Sequence, residues 1–376
     1  MQTFDVIVLG VGGMGSAVCY HLARRGLGVL GIEQFDLLHD RGSSHGRTRV
    51  IRQAYFEDPH YVPLVRRSFE FWRALERESG ETLYRATGCL NLGPAEHECV
   101  MGARRSAEMH GLAYEMLDRD EIRRRWPALE PDVRDVGVFE EDAGFLLPEK
   151  CVAAHARLAE AAGCRIEVRR RVLGFRAEAN AVTVETDGGA YRGKALVITA
   201  GAWLGQVATE LQLPLHVERQ VQTWFAPKEP AIFEAGRMPV FIHFVAERAY
   251  YAIPAHEQPW VKIARHHGGL FTTPDRVNRN ISPADEHDIR WYIQRYLPAA
   301  DGPLADGKVC LYTNTPDDHF IIDRHPAHGN VFIAGGFSGH GFKFAPVVGE
   351  IMADLVRRGR TSQPIETFSI RRFSVQ

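Results

Sequence analysis

The glycine turn Gly10-Val11-Gly12-Gly13-Met14-Gly15, set between an apolar strand and a helix, constrains this 376-residue chain more than any other feature. Residues 4–9 (FDVIVL) are rich in β-branched side chains, the pattern of a parallel strand buried on both faces. Residues 16–25 carry apolar positions at Val18, Leu22 and Ala23 and stop at Gly26, which predicts a helix. A second strand at 27–32 ends in Glu33. Gly10, Gly12 and Gly15 thus form G-x-G-x-x-G at a strand–helix junction, where glycine lets backbone N–H groups approach a pyrophosphate at a helix N-terminus. Glu33 follows Gly12 by 21 residues, where a carboxylate accepts hydrogen bonds from a ribose and disfavours a cofactor with a 2′-phosphate. A dinucleotide is therefore expected, with FAD and NAD both open at this point.

The length suggests about two domains. Apolar residues make up 45% and charged residues 24%, the balance of a globular protein. A formal net charge of -2 gives no global field toward nucleic acid or an anionic membrane. No apolar run reaches the roughly 18 residues of a membrane span, and the N-terminus lacks the basic start of a signal peptide. The six cysteines (Cys19, Cys89, Cys99, Cys151, Cys164, Cys310) show no paired spacing, which fits reduced thiols in a cytoplasmic protein and no metal site. Only six of the 45 basic residues are lysine: Lys150, Lys194, Lys228, Lys262, Lys308 and Lys343. Arginine serves as the general surface cation, so each lysine invites a reason.

Further along, the chain predicts helices at 62–78, 118–125, 149–163 and 346–357, and buried strands at 195–202 (ALVITAGA) and 330–336 (NVFIAGG). Between 215 and 315, strand patterns and turn signals predict an antiparallel sheet. The parallel-strand signals near 5, 30, 197 and 332 are far apart, so the dinucleotide domain is expected to be discontinuous. The expected architecture is α/β (α+β in two domains). A Rossmann-like domain at 1–83, 146–215 and 317–376 receives an inserted antiparallel-sheet domain at 84–145 and 216–316. The small-residue turns at 198–202 and 334–341 resemble those that complete the FAD site in flavoproteins of the glutathione-reductase type, which favours FAD.

Longer strings carry a more specific resemblance: RGSSHGRTRVIRQAY (41–55), YVPL (61–64), VCLYTNTPDDHFIIDRHP (309–326) and GFSGHGFKFAPVVGE (336–350). In these the chain resembles the monomeric sarcosine oxidase group of FAD-dependent amine oxidases, which also holds N-methyltryptophan and L-pipecolate oxidases. The resemblance runs nearly the whole length. It implies covalent FAD, joined as an 8α thioether to Cys310, although composition alone reads Cys310 as a small buried hydrophobe. It implies that Lys262 activates O2 near the flavin and that His266 and Tyr312 stand in the active site. Arg52 and Lys343 then bind a substrate carboxylate, with Tyr251 and the backbone of Gly339 beside it, while Arg49 and His45 belong to the flavin environment. On a strand, residues 262, 264 and 266 share one face, so Lys262 and His266 are expected to look into one cavity. Further cofactor contacts are expected at Met14, Gln34, Arg41, Ser43, Ser44, Val172, Ala200, Gly201, Trp203, Gly341 and Phe342.

The expected reaction is oxidation of a secondary-amine amino acid by hydride transfer to flavin N5, imine hydrolysis and reduction of O2 to H2O2. Sarcosine, other N-methyl amino acids, L-pipecolate and L-proline are the candidate substrates, with a monomer acting alone. Two alternatives stay open: a flavin dehydrogenase with another electron acceptor, and a flavin-bearing subunit without catalysis. The strand at 241–248 (FIHFVAER) departs from the family at Ile242 and His243, as does Arg265 beside His266, which leaves the side wall of the pocket open.

Overall fold

Strand Thr3–Leu9 is buried along most of its length because parallel strands flank it on both sides. Gly189–Ile198 pairs with it on one edge and Val29–Ile32 on the other. The parallel run continues outward to Val331–Gly335 and Arg165–Glu167. The apolar segments near 5, 30, 197 and 332 are therefore spatial neighbours. On its other edge the long strand Gly189–Ile198 serves two partners: its first half pairs antiparallel with Ala181–Thr186, its last residues in parallel with Val331–Gly335. Helices Gly13–Ala23, Val62–Ser79, Pro148–Ala161 and Ala345–Arg358 contribute to one large core cluster with these strands. Each fully buried Val, Leu or Ile there stabilises the fold by about 1.5–3 kcal/mol relative to exposure. The computed structural model describes residues 2–373; Met1 and 374–376, which fall in the expected cofactor domain, lie outside the described residues.

The first helix begins at Gly13, three residues before its predicted start, because the glycine turn itself winds into the first helical turn. Three glycines at that point mask the signal, since glycine is the poorest helix former after proline.

Among the described residues, strands make three sheets, of eight, nine and three strands. The nine-stranded sheet contains the region predicted as antiparallel, with one exception: Val240–Val245 runs parallel to Cys89–Pro94. A helix at Pro283–Tyr296, absent from the expectation, covers one face of this sheet through Ile289, Tyr292 and Ile293. Its start was legible in a capping box, Ser282 with Asp285, followed by Pro283 in the first turn. The small sheet joins Arg49–Ile51, Gly144–Leu146 and Tyr84–Ala86. It ties the segment 41–55 to chain that also feeds the larger sheets.

Candidate functional site

The glycine turn owes its shape to close contacts that no other residue permits. Gly10 has φ +84°, and a Cβ there would lie 2.7 Å from the Thr199 carbonyl oxygen. At Gly15 a Cβ would come within 1.8 Å of the Gly10 carbonyl oxygen, so glycine is required for the helix to close on the turn. Glu33 is buried and reaches back: Oε2 accepts the Val11 N–H at 2.9 Å and Oε1 the Phe35 N–H at 3.1 Å. Ser44 Oγ accepts the Gly13 N–H at 3.0 Å, which docks the 41–55 segment onto the turn.

That segment is clamped at both ends by carboxylates. Glu149 accepts the N–H groups of Gly46 and Arg47 at 2.7 and 3.1 Å. Glu140 accepts those of Gln53 and Ala54, at 2.7–3.0 Å. Arg49 and Arg52 are thus delivered to one place by a backbone held through its own amides.

One continuous cavity starts at Gly10, Gly12 and Met14 and passes Glu33, Gln34, Ser43, Ser44 and Val172. It continues by Ala200, Gly201, Trp203, Gly341 and Phe342 to Arg49, Cys310 and Gly339, and ends among Tyr251, His266, Tyr312, Arg52 and Lys343. Four expected site residues are not on its wall. Gly15 is packed against Gly10 and serves the turn alone. Arg41 projects from an exposed bend. His45 is buried behind the wall, with ring Nε2 at 3.2 Å from the Gly42 carbonyl oxygen.

Lys262 is the fourth, and it corrects the expectation that its ammonium looks into the cavity beside His266. The strand does place both on one face, and His266 does line the cavity. The Lys262 ammonium instead ends on the carbonyl oxygens of Gly46 and Thr48, at 2.9 and 3.0 Å, behind Thr48 and Arg49. Burial, reinforced by the Arg49 charge, pushes its pKa well below the usual lysine value.

Strand alternation also decides the side wall. Ile242 faces the cavity, whereas His243 points to the helix-covered face and lies 3.1 Å from Asp135 and 2.9 Å from Tyr292. Tyr251 faces inward, and Arg265 lines the cavity with one guanidinium nitrogen 3.5 Å from Asp288. Of these departures only His243 is turned away from the pocket, whereas Ile242 and Arg265 both lie on its wall.

At the inner end, charge is concentrated and buried. Arg52, 2% exposed, donates through one terminal nitrogen to both Glu57 carboxylate oxygens at 2.6 and 2.7 Å and through the other to the Ala54 carbonyl. Burial alone would raise Glu57, but Arg52 with His340 and Lys343 holds it below the usual carboxylate range. Lys343 donates to the His340 carbonyl at 2.6 Å and to Tyr55 Oη at 3.3 Å. Burial, with Arg52 nearby, brings Lys343 down to about 7. His266 Nδ1 lies 3.0 Å from Tyr312 Oη; burial holds this histidine neutral and pushes the Tyr251 and Tyr312 phenols up. Arg49 donates to Gln222 Oε1 at 3.1 Å, to the Ser43 carbonyl at 2.8 Å and to Cys310 Sγ at 3.6 Å.

Among the described residues on the wall, Thr48 Oγ1, Gln222 Nε2 and the Nε atoms of Arg52, Arg170 and Arg265 are buried without a partner in the protein. An unpaired buried donor costs about 1–3 kcal/mol, so these atoms call for an occupant of the cavity. Gln222, Thr48, Tyr55, Glu57 and His340 escaped the sequence reading as site residues. Tyr55 and His340 sit inside two of the strings that carry the resemblance, but their pairing crosses 285 residues, which no local pattern reports.

Residues 5–355 match the model of the DAO family, described as FAD dependent oxidoreductase. The chain is 42% identical to a monomeric sarcosine oxidase of Streptomyces avermitilis, over 99% of this chain and 98% of that one. It is 36% identical to an N-methyl-L-tryptophan oxidase of Salmonella enteritidis PT4, over 99% of both. Among solved structures, NikD, described as an unusual amino acid oxidase essential for nikkomycin biosynthesis, superposes with a TM-score of 0.88 at 22% identity, covering 98% of each chain. The last comparison establishes the shared fold.

Proposed function

This chain belongs to the family of FAD-dependent oxidoreductases, and we propose that it is an oxidase of secondary-amine amino acids that delivers electrons to O2. The observation that carries the reading is the inner end of the cavity. There a buried guanidinium and a buried ammonium, Arg52 and Lys343, stand 4.4 and 5.1 Å from one tyrosine ring, with Tyr251, His266 and Tyr312 completing the wall. Two buried cations impose a strong preference for one anionic group and fix its position.

The outer cavity suits FAD. The helix N-terminus at Gly13 favours a pyrophosphate, Glu33 stands at the ribose position, and the unpaired Thr48 and Gln222 donors wait at the ring end. FAD, when bound, supplies the two-electron acceptor. The proposed division assigns cofactor binding to 1–83, 146–215 and 317–376, and the substrate wall to 84–145 and 216–316.

The chain's own groups do the rest. Arg52 and Lys343 bind the substrate carboxylate. The buried wall of Tyr251, Tyr312 and Ile242 penalises an ammonium, so it favours the neutral amine from which the C–H bond breaks. His266 and the two tyrosines, neutral at pH 7, orient the amine through hydrogen bonds rather than by holding charge. The imine product then hydrolyses in water. Arg49 supplies positive charge on the wall, with Lys262 holding the Gly46 and Thr48 carbonyls behind it, which favours anionic reduced oxygen on the way to H2O2. Cys310 Sγ, held on the wall by Arg49, is proposed to form the thioether to the cofactor.

Anaerobic mixing with a panel of N-methyl and cyclic amino acids, followed at the flavin absorbance, tests the reading. At least one member is expected to bleach the flavin, and admission of air should restore the colour with release of H2O2. Failure of every amine would leave a flavin-binding protein without this activity. Bleaching without peroxide would assign it to the dehydrogenases. For Cys310, acid precipitation should leave the yellow colour in the pellet; a white pellet rejects the thioether.

A further inference from the structure

Behind the two cations stand Tyr55, fully buried, and His340. His340 Nε2 lies 3.0 Å from the carbonyl oxygen of Asp318. A carbonyl only accepts, so Nε2 carries the ring hydrogen and Nδ1 is a lone pair. A doubly protonated ring is closed off by burial, which brings His340 down to about 3. Tyr55 Oη is 2.5 Å from Nδ1, so the phenol donates to the imidazole. Its oxygen is left with acceptor capacity only, and the Lys343 ammonium donates to it at 3.3 Å. The bonds therefore run one way: ammonium to phenol, phenol to imidazole, imidazole to a backbone carbonyl. The Tyr55 ring meanwhile carries the Arg52 guanidinium over its face at 4.4 Å.

We propose that Tyr55, oriented by His340, is the positioning residue of the carboxylate clamp, holding the Lys343 ammonium and the Arg52 guanidinium on one target. The proposal rests on the carboxylate-binding reading of Arg52 and Lys343. Its physical content is that a phenol fixed as an acceptor stabilises the charged form of Lys343, whereas a freely rotating one would not. The charged and titratable groups facing that ammonium are Arg52, Glu57, Tyr55, His340 and the buried Cys89 thiol. Burial and Arg52 disfavour its proton; Glu57 and Cys89 favour it.

The test is titration of the FAD-loaded protein with acetate, a carboxylate without an amine, followed by calorimetry and the flavin spectrum between pH 6 and 9. Wild type should bind acetate and lose affinity as pH rises through about 7, where Lys343 gives up its charge. Tyr55→Phe keeps the ring beneath Arg52 and removes the acceptor. It should weaken acetate binding about tenfold or more at neutral pH, as expected for one hydrogen bond to a charged group, and shift the midpoint to lower pH. His340→Leu should act in the same direction. His340→Gln, whose amide offers both an acceptor and a donor, should restore most of the affinity, and this pair decides the matter if Tyr55→Phe does not fold. Tyr55→Phe with wild-type affinity and midpoint overturns the proposal, as does equal behaviour of His340→Leu and His340→Gln. A wild type that binds no carboxylate overturns the clamp reading itself, which is a different failure.

Discussion

At one end of the cavity recognition is built from backbone, and at the other from side chains. The turn at Gly10–Gly15 and Glu33 lies within one strand–helix–strand unit, and its key contacts are a carbonyl, amides and a carboxylate that accepts them. The clamp joins Tyr55 to Lys343 across 288 residues and depends on how a phenol, an imidazole, a guanidinium and an ammonium share a dry space. A site made from backbone is robust to most changes and intolerant of a Cβ. A site made from buried charge tolerates volume changes better than the loss of one partner.

Changes in each region should separate the two behaviours. The largest effect is expected from Gly15→Ala, whose methyl has no room beside the Gly10 carbonyl. A cost of about 3 kcal/mol or more should appear as a lowered Tm and loss of bound flavin; a yellow protein of normal stability would remove the close-packing argument. Behind the wall, Lys262→Met should slow reoxidation by O2 by about a hundredfold or more, the scale of losing one preorganised donor. Anaerobic reduction should be nearly unchanged, and stopped-flow traces of the two half-reactions make the comparison. Normal reoxidation would detach Lys262 from oxygen chemistry. Arg52→Leu should raise KM about thirty- to a hundredfold, since a charged hydrogen bond is worth about 2–3 kcal/mol, with flavin retention intact. Equal loss of flavin would show that the two ends are not separable.

Acid should weaken the fold as a whole through buried histidines. Burial holds His45, His155 and His340 down at about 3, against an ordinary 6.5. Between those values the unfolded chain binds more protons, so stability is full above about pH 6.5 and falls as pH drops. Each ring should cost about 2 kcal/mol by pH 5, readable as a fall in the urea midpoint that His155→Gln reduces. The smallest effect belongs to Gly13→Ala, whose methyl meets the edge of the Phe342 ring at 2.9 Å rather than backbone. A side chain can yield, so less than about 1.5 kcal/mol is expected, and a loss matching Gly15→Ala would erase the distinction drawn within the turn.

Local features of the fold were legible because they depend on near neighbours in sequence. The parallel strands announced themselves by unbroken apolar runs, and Arg52 and Lys343 by the strings around them. Lysine scarcity was informative: the two buried lysines, Lys262 and Lys343, are the two singled out, while Lys150, Lys194 and Lys228 are exposed. The helix at Pro283–Tyr296 carries a capping box, but the turn signals around it favour strands in the sequence.

The sequence by itself determined the glycine turn, its acid and the buried strands around them, since a missing Cβ and a two-faced apolar strand act over a few residues. Only the tertiary structure decided which of two adjacent residues faces the cavity, as with Ile242 and His243, because that follows from which side of a sheet a distant helix covers. It alone placed Lys262 behind the wall and Tyr55 between two cations. Those positions arise from packing between segments hundreds of residues apart, and no spacing along the chain records them.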